Sequence, residues 1–358
     1  MTHRIVFTGG GTAGHVTPNM ALIDELLAAQ WVVHYVGSNR GIERRLIEPM
    51  GIAFHSIATG KLRRYFSWQN FIDPLFILWG FCQSLWLCLR LRPDVVFSKG
   101  GFVAVPLVVA AWLLRIPVIS HESDTTPGLA NKLCFPFCRW ICVNFPQTTK
   151  HLPVGKVLVT GSPVRAGLLR GDAERARRDL GLASDKPVLL IFGGSLGANI
   201  INQAVRKNLT VLLGEFQLVH VVGAGNLAPA LADRQGYVQR EYINEGFGDV
   251  LALAELVIAR AGANTIYELL MTRTPHILVP LSAAASRGDQ LINAKIFADA
   301  GFSEVITEPE LTDELLLACI QQTYKRRADI HQQLARFEIK DSVAIIIDLI
   351  KRAADRAE

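Results

Sequence analysis

Short runs of β-branched and aliphatic residues alternate with longer stretches of helical spacing along almost all of this 358-residue chain. The runs predict strands at Arg4–Thr8, Val32–Val36, Phe54–Ile57, Asp94–Ser98, Pro117–Ser120, Trp140–Asn144 and Val157–Thr160. A second series predicts strands at Val188–Phe192, Gln217–Val222, Tyr237–Ile243, Leu256–Ala259 and His276–Pro280. Strands alternating with helices imply an α/β fold of parallel sheets covered on both faces. Each series opens with strand, glycine loop and helix, so two Rossmann-like domains are expected, with limits of 1–162 and 163–340. From Asp313 onward the pattern is helical, and Ser342–Ala354 carries Val343, Ile346, Ile347 and Ile350 on one stripe. Such a helix needs a surface to cover.

One segment breaks the alternation. Leu75–Leu89 is fifteen residues without a charge, with Asp73 before it and Arg90 and Arg92 after. It is shorter than the roughly 20 residues that span a bilayer. It reads either as a buried helix or as an interfacial anchor. The anchor would use Trp68, Phe71, Phe76, Trp79 and Trp86 with Arg63, Arg64, Arg90 and Arg92.

Composition sharpens that choice. Half the residues are hydrophobic and 19% are charged, which excludes disorder. A mean hydropathy of +0.27 raises the question of membrane contact. The net charge of +5 is too mild to mark a nucleic-acid binder. Its distribution says more: residues 1–160 hold 15 Lys/Arg against 8 Asp/Glu, and residues 161–358 hold 22 against 24. The first half is therefore expected to face something anionic, a phospholipid or a phosphorylated substrate. The N-terminal strand lacks the features of a signal peptide, so a cytoplasmic chain is expected. Six cysteines give no disulfide framework at this length. Cys134, Cys138 and Cys142 share a four-residue spacing, but Pro136 interrupts it and no His or fourth Cys completes a metal set, so they read as core.

The chemistry concentrates in post-strand loops. Gly9–His15 matches G-x-G-x-x-G between a strand and a helix, where backbone N–H groups can reach phosphate. The acidic ribose anchor of a dinucleotide site is missing, and only Arg40 keeps an NADP reading open. His15 directly follows this loop and is a candidate general base. A second glycine loop, Gly193–Asn199 with Ser195, suits a pyrophosphate. Two such loops fit two ligands meeting across a cleft, one of them a nucleotide diphosphate. Ala263, Asn264 and Thr265 open a further helix whose N–H groups can hold phosphate, and Glu268 one turn on can accept from ribose hydroxyls. Asp289 and Gln290 suit a polyhydroxylated ring, and His121–Asp124 with Glu122 lies at a carboxyl edge of the first sheet.

These residues resemble one family. GGGTAGHVTPN at 9–19, SKGGFVAVP at 98–106, HESDTTPGLANK at 121–132, GSPVR at 161–165, FGGSLGANIINQ at 192–203, RAGANTIYELL at 260–270 and SRGDQLINA at 286–294 resemble the MurG family in its Gram-positive-like branch. The order and spacing cover essentially the whole chain. The resemblance implies a GT-B fold, two Rossmann-like domains with parallel sheets facing across a cleft, and a C-terminal helix at about 341–358 returning to the first domain. It implies inverting transfer of GlcNAc from UDP-GlcNAc to the C4 hydroxyl of MurNAc in lipid I, without metal or cofactor, at the cytoplasmic face of an anionic membrane. It further implies Thr12, Ala13 and Gly14 near the donor sugar, and Arg165 and Ser195 at the nucleotide diphosphate. Ile243 would meet the uracil, Ala263 to Thr265 the pyrophosphate, Glu268 the ribose and Gln290 the GlcNAc. Gly100 and Gly101 would form the acceptor-side glycine loop.

Three departures follow. Ala13 replaces a common glycine, so a positive φ there would be strained. Asp124 stands where an Asn touches GlcNAc in many members, and an ionised carboxylate cannot donate that bond. Two residues are added between Pro280 and Gln290. The acceptor hydroxyl needs a base, for which His15 is first and Glu122 second. The alternatives are another GT-B nucleotide-sugar enzyme (a lipid glycosyltransferase or an epimerase) and an NADP oxidoreductase.

Overall fold

The structure is a computed structural model that describes residues 2–59, 69–183, 185–194, 197–243, 245–283 and 288–355, excepting the side chains of 69–74 and 151. The chain divides into two units, Met1–Arg165 with Lys340–Glu358, and Ala166–Ile339.

The first unit is built on seven parallel strands: β1 (Arg4–Thr8), β2 (Val32–Ser38), β3 (Ala53–Ile57), β4 (Val95–Ser98), β5 (Val118–Glu122), β6 (Trp140–Val143) and β7 (Val157–Val159). Their order is β3-β2-β1-β4-β5-β6-β7. Both faces are apolar, because successive residues of a strand point to opposite sides. Ile5 and Phe7 face one core cluster and Val6 the other. On the first face lies α1 (Thr17–Ala28), with Leu22, Ile23 and Leu26 buried. Beside it the helix Ser342–Asp355 inserts Ile346, Leu349, Ile350 and Ala353. Its amphipathic stripe thus covers the first unit's sheet. Lys340 fixes the approach of that helix by donating to the Val159 carbonyl at 3.2 Å.

On the second face, α4 (Ala104–Leu113) buries Leu107, Val108 and Ala111, and α5 (Leu129–Cys134) buries Cys134. Two further helices complete the picture: the short α2 (Ile42–Ile47) after β2, and the 23-residue α3 (Gln69–Leu91), which packs on α4. Leu87 and Cys88 of α3 are core, yet Leu75, Phe76, Leu78, Trp79, Trp86 and Leu89 are exposed. The uncharged segment is therefore a helix with one buried face and one bare apolar face. Trp112 and Leu113 of α4 and Leu129 and Leu133 of α5 are exposed as well.

The second unit carries β8 (Val188–Phe192), β9 (Gln217–Val221), β10 (Tyr237–Arg240), β11 (Ala254–Ala259), β12 (His276–Leu278) and β13 (Glu304–Val305), all parallel in the order β10-β9-β8-β11-β12-β13. Leu189, Ile191, Leu256, Ile258 and Ile277 form its core with helical residues such as Val205, Leu212 and Ile320. Most strand limits shift by one or two residues from expectation, and two departures are larger. β10 stops at Arg240, leaving Ile243 in the following loop, and the edge strand β13 is too short to show a period. The three spaced cysteines are buried and free, and burial raises all three thiols, those of Cys138 and Cys142 to about 12. Those at 138 and 142 are thereby held as neutral core groups.

Candidate active site

In each sheet the strand order reverses once, between β1 and β4 and between β8 and β11. Ligands of open α/β sheets collect outside the carboxyl ends of the strands at such points. Both glycine loops start there, directly after β1 and β8.

In the first unit the loop after β1 is tied down from several sides. The Tyr35 hydroxyl donates to the Gly9 carbonyl at 2.7 Å, and Gly10 N–H donates to the Gly100 carbonyl at 3.3 Å. The loops after β1 and β4 touch backbone to backbone: a Cβ on Gly101, whose φ is +86°, would lie 2.4 Å from the Gly10 oxygen. Gly11 N–H donates to Glu43 Oε2 at 3.3 Å. It is turned to a carboxylate, which corrects the phosphate-cradle reading at this position. Thr12 is exposed, and Ala13–His15 form a single 3₁₀ turn in which Val16 N–H bonds the Ala13 carbonyl at 2.9 Å. Ala13 is not among the residues with positive φ, so the expected strain is absent; helical backbone suits alanine.

His15 is partly exposed, with Nδ1 2.9 Å from the Gly10 carbonyl and 3.5 Å from Thr12 Oγ1. A carbonyl only accepts, so Nδ1 carries the proton. In the neutral ring Nε2 is then the basic nitrogen.

Past β4 and β5, Lys99 is buried, and its ammonium donates to His121 Nδ1 at 2.8 Å and to the Ser123 hydroxyl. Burial lowers Lys99 to about 8 against the opposing pull of Glu122 and Asp124. Glu122 is buried too. Its Oε1 accepts Asp124 N–H at 3.0 Å, and its Oε2 accepts Gly128 N–H at 3.0 Å and Asn131 Nδ2 at 2.9 Å. With both oxygens spent on shaping the 123–128 turn, Glu122 is a poor base. Asp124 is partly exposed on that turn, its carbonyl accepting from Thr148 Oγ1 at 3.2 Å. Thr12, Ala13, Gly14, His15, Gly100, Gly101, Glu122 and Asp124 thus share one edge, after the adjacent strands β1, β4 and β5. Arg165 ends this unit as an exposed side chain, its Nη2 3.1 Å from Met20 Sδ.

In the second unit Gly197 N–H closes the loop after β8 onto the Gly194 carbonyl at 3.0 Å; Ser195 lies outside the described residues. After β11, Gly262 caps the helix Ala263–Met271. Ala263, Asn264 and Thr265 are its first turn, at the positive end of the helix dipole. Glu268 stands one turn along, partly exposed. Gln290 is in the first turn of the helix Asp289–Asp299, and its Oε1 accepts Leu281 N–H at 3.1 Å. Arg260 braces the same edge, donating to the Val279 carbonyl at 3.1 Å and pairing with Glu308 at 2.7 Å. Burial opposes ionisation of Glu308, yet Arg260 and Ser282 hold it below the usual carboxylate range. Sequence reading missed Glu43, Lys99, Asn131 and this Arg260–Glu308 pair. Among the described residues no cluster of three or more His, Cys, Asp or Glu is placed to hold a metal ion.

Solved structures share this architecture. MurG of Acinetobacter baumannii matches with a TM-score of 0.75 at 25% identity, covering 98% of this chain and 100% of the other. A UDP-GlcNAc 2-epimerase of Neisseria meningitidis bound to UDP-GlcNAc matches at 0.67 and 14% identity, over 98% and 100%, a likeness of fold alone. The fold is that of the GT-B glycosyltransferases. Models of the glycosyltransferase family 28 N-terminal and C-terminal domains match residues 5–143 and 188–348. The UDP-N-acetylglucosamine–N-acetylmuramyl-(pentapeptide) pyrophosphoryl-undecaprenol N-acetylglucosamine transferase of Clostridium perfringens is 49% identical over 98% of this chain and 99% of its own. That of Clostridium botulinum is 48% identical over 98% and 99%. The chain belongs to glycosyltransferase family 28, in its MurG branch.

Proposed function

We propose that the protein transfers GlcNAc from UDP-GlcNAc to the C4 hydroxyl of MurNAc-pentapeptide in lipid I, forming lipid II and UDP for peptidoglycan. The observation that carries this is 49% identity along nearly the full length of a curated transferase of that name. In this reading the acceptor oxygen bonds to C1 of GlcNAc on the face opposite UDP, with inversion. His15 Nε2 takes the hydroxyl proton, in keeping with the tautomer set by Gly10. The C1–O bond to UDP breaks, and the charge left on the diphosphate is met by the positive end of the helix that begins at Ala263–Thr265 and by Arg165, without a metal. Glu268 holds the ribose, Gln290 the GlcNAc, and Ile243 the uracil.

The lipid acceptor must be met at a bilayer. Among the described residues no helix is long and apolar enough to cross a membrane. The bare faces of α3, α4 and α5 suit peripheral seating on the cytoplasmic leaflet, with Arg90 stacked 5.0 Å over Trp86 to meet anionic headgroups. Arg63, Arg64 and Trp68 lie outside the described residues, as does the Phe71 side chain. The deciding experiment is GlcNAc transfer from UDP-GlcNAc to a lipid I analogue, with and without EDTA. Product in both supports the reading. No product with any lipid I analogue overturns it, and Mg²⁺-reversible loss with EDTA overturns its metal-free form.

A further inference from the structure

We infer that Glu43 is a positioning residue that raises the basicity of His15 through the Gly10–Gly11 peptide. The inference rests on the reading of His15 as the base. One peptide group joins the two side chains: its N–H, from Gly11, donates to Glu43 Oε2 at 3.3 Å, and its C=O, from Gly10, accepts from His15 Nδ1 at 2.9 Å. Hydrogen bonds in series polarise one another. A carboxylate on the N–H end makes the carbonyl end a stronger acceptor for the imidazole proton. That favours the imidazolium formed when Nε2 takes a proton, as a directly bonded carboxylate would.

The carboxylate is built in rather than incidental. Glu43 has no solvent exposure, and its Oε1 accepts from Ser38 N at 2.9 Å and Ser38 Oγ at 2.5 Å. A Cβ on Gly10 would lie 2.6 Å from Oε1 and one on Gly41 2.1 Å from Oε2, so both positions leave room for the carboxylate. Other ionisable groups around the loop are spoken for. Tyr35 of β2 is pushed up by burial and stays neutral. Lys99 past β4 turns its ammonium to His121 and Ser123. Asp24 of α1 lies beside Arg165, and Arg44 of α2 pairs with Glu48.

The test is an NMR titration of the His15 ring in the whole protein, alongside the pH profile of kcat/KM, for wild type and Glu43→Gln. Glutamine keeps the shape and an accepting oxygen but loses the charge. The His15 titration and the acid limb of the profile are expected to move together to lower pH by about half a unit or more, with the donor KM unchanged. An unmoved His15 titration in folded Glu43→Gln overturns the inference. Ser38→Ala strips one donor from the carboxylate and leaves its charge less satisfied, so it is expected to move the titration upward. That variant decides the matter if Glu43→Gln does not fold, and no upward shift counts against the relay. Should His15→Ala retain turnover, the base reading falls, while the ring titration still tells whether Glu43 governs the imidazole.

Discussion

The Lys99 ammonium donates to Nδ1 of His121 across 2.8 Å, with both residues sealed from solvent. The bond fixes the imidazole proton on Nε2, which donates to the Gly161 carbonyl at 2.9 Å. Burial first, and the adjacent cation second, hold His121 well below its ordinary pKa. One neutral ring thus joins the β4 edge, carrying Gly100 and Gly101, to the turn Gly161 at the end of the first unit's sheet.

His121 has two counterparts in the second unit, since burial lowers His220 to about 3 and His276 to about 4. In the unfolded chain all three titrate near 6.5. Below that pH the unfolded state binds more protons than the folded one, so stability falls as pH drops toward the folded values. Each ring contributes a loss of up to about 1.4 kcal/mol per pH unit. Urea unfolding midpoints are expected to fall steadily between pH 7 and pH 5. Midpoints that stay level would show that these rings bind protons alike in the folded and unfolded states.

His15→Ala is expected to lower kcat by about 10²–10⁴-fold and to leave UDP-GlcNAc affinity nearly unchanged, as steady-state kinetics and calorimetry would show. Near-normal kcat in a folded variant removes the base assignment. Glu122 does not inherit it easily, because Asp124, Gly128 and Asn131 occupy its oxygens.

Glu268→Ala is expected to weaken donor binding by about 1.5–3 kcal/mol, the worth of hydrogen bonds to a charged group. The side chain is partly exposed on its helix, so the fold is expected to survive. An unchanged Kd for UDP-GlcNAc by calorimetry would exclude Glu268 from the ribose.

Phe76 and Trp79 are 49% and 60% exposed, so Phe76→Glu with Trp79→Glu is expected to fold. The pair is expected to abolish binding to anionic liposomes at low salt, because each apolar group lost from the bilayer costs up to about 1.5–3 kcal/mol. Turnover of a short-chain, water-soluble acceptor should persist. Normal liposome sedimentation of the folded double variant would rule out the α3 face as anchor.

Strands buried on both sides were legible because Arg4–Thr8, Val188–Phe192 and their neighbours are continuous apolar runs ended by glycine, serine or proline. The overrun at Tyr237–Ile243 has a local cause: the strand stops at Arg240, and Gly223 N–H then bonds the Glu241 carbonyl outside the ladder. The loops that follow β1 and β8 were readable from glycine spacing alone. Glu43 was not, because nothing local to α2 shows that the chain returns it beneath a loop thirty-two positions earlier. Lys99 did leave a signal, a cation closing an apolar strand just before two glycines.

The helix Ser342–Asp355 lies in the core of the first unit, yet it is translated after the whole of the second. On the ribosome, β1 to β7 therefore wait with the face of Ile5, Phe7 and Phe97 covered by α1 but not yet by this helix while Ala166–Ile339 is synthesised. During that interval the nascent first unit is the vulnerable one, exposed to chaperones and proteases, and to premature contact with lipid. Its maturation is timed by the arrival of its own closing helix.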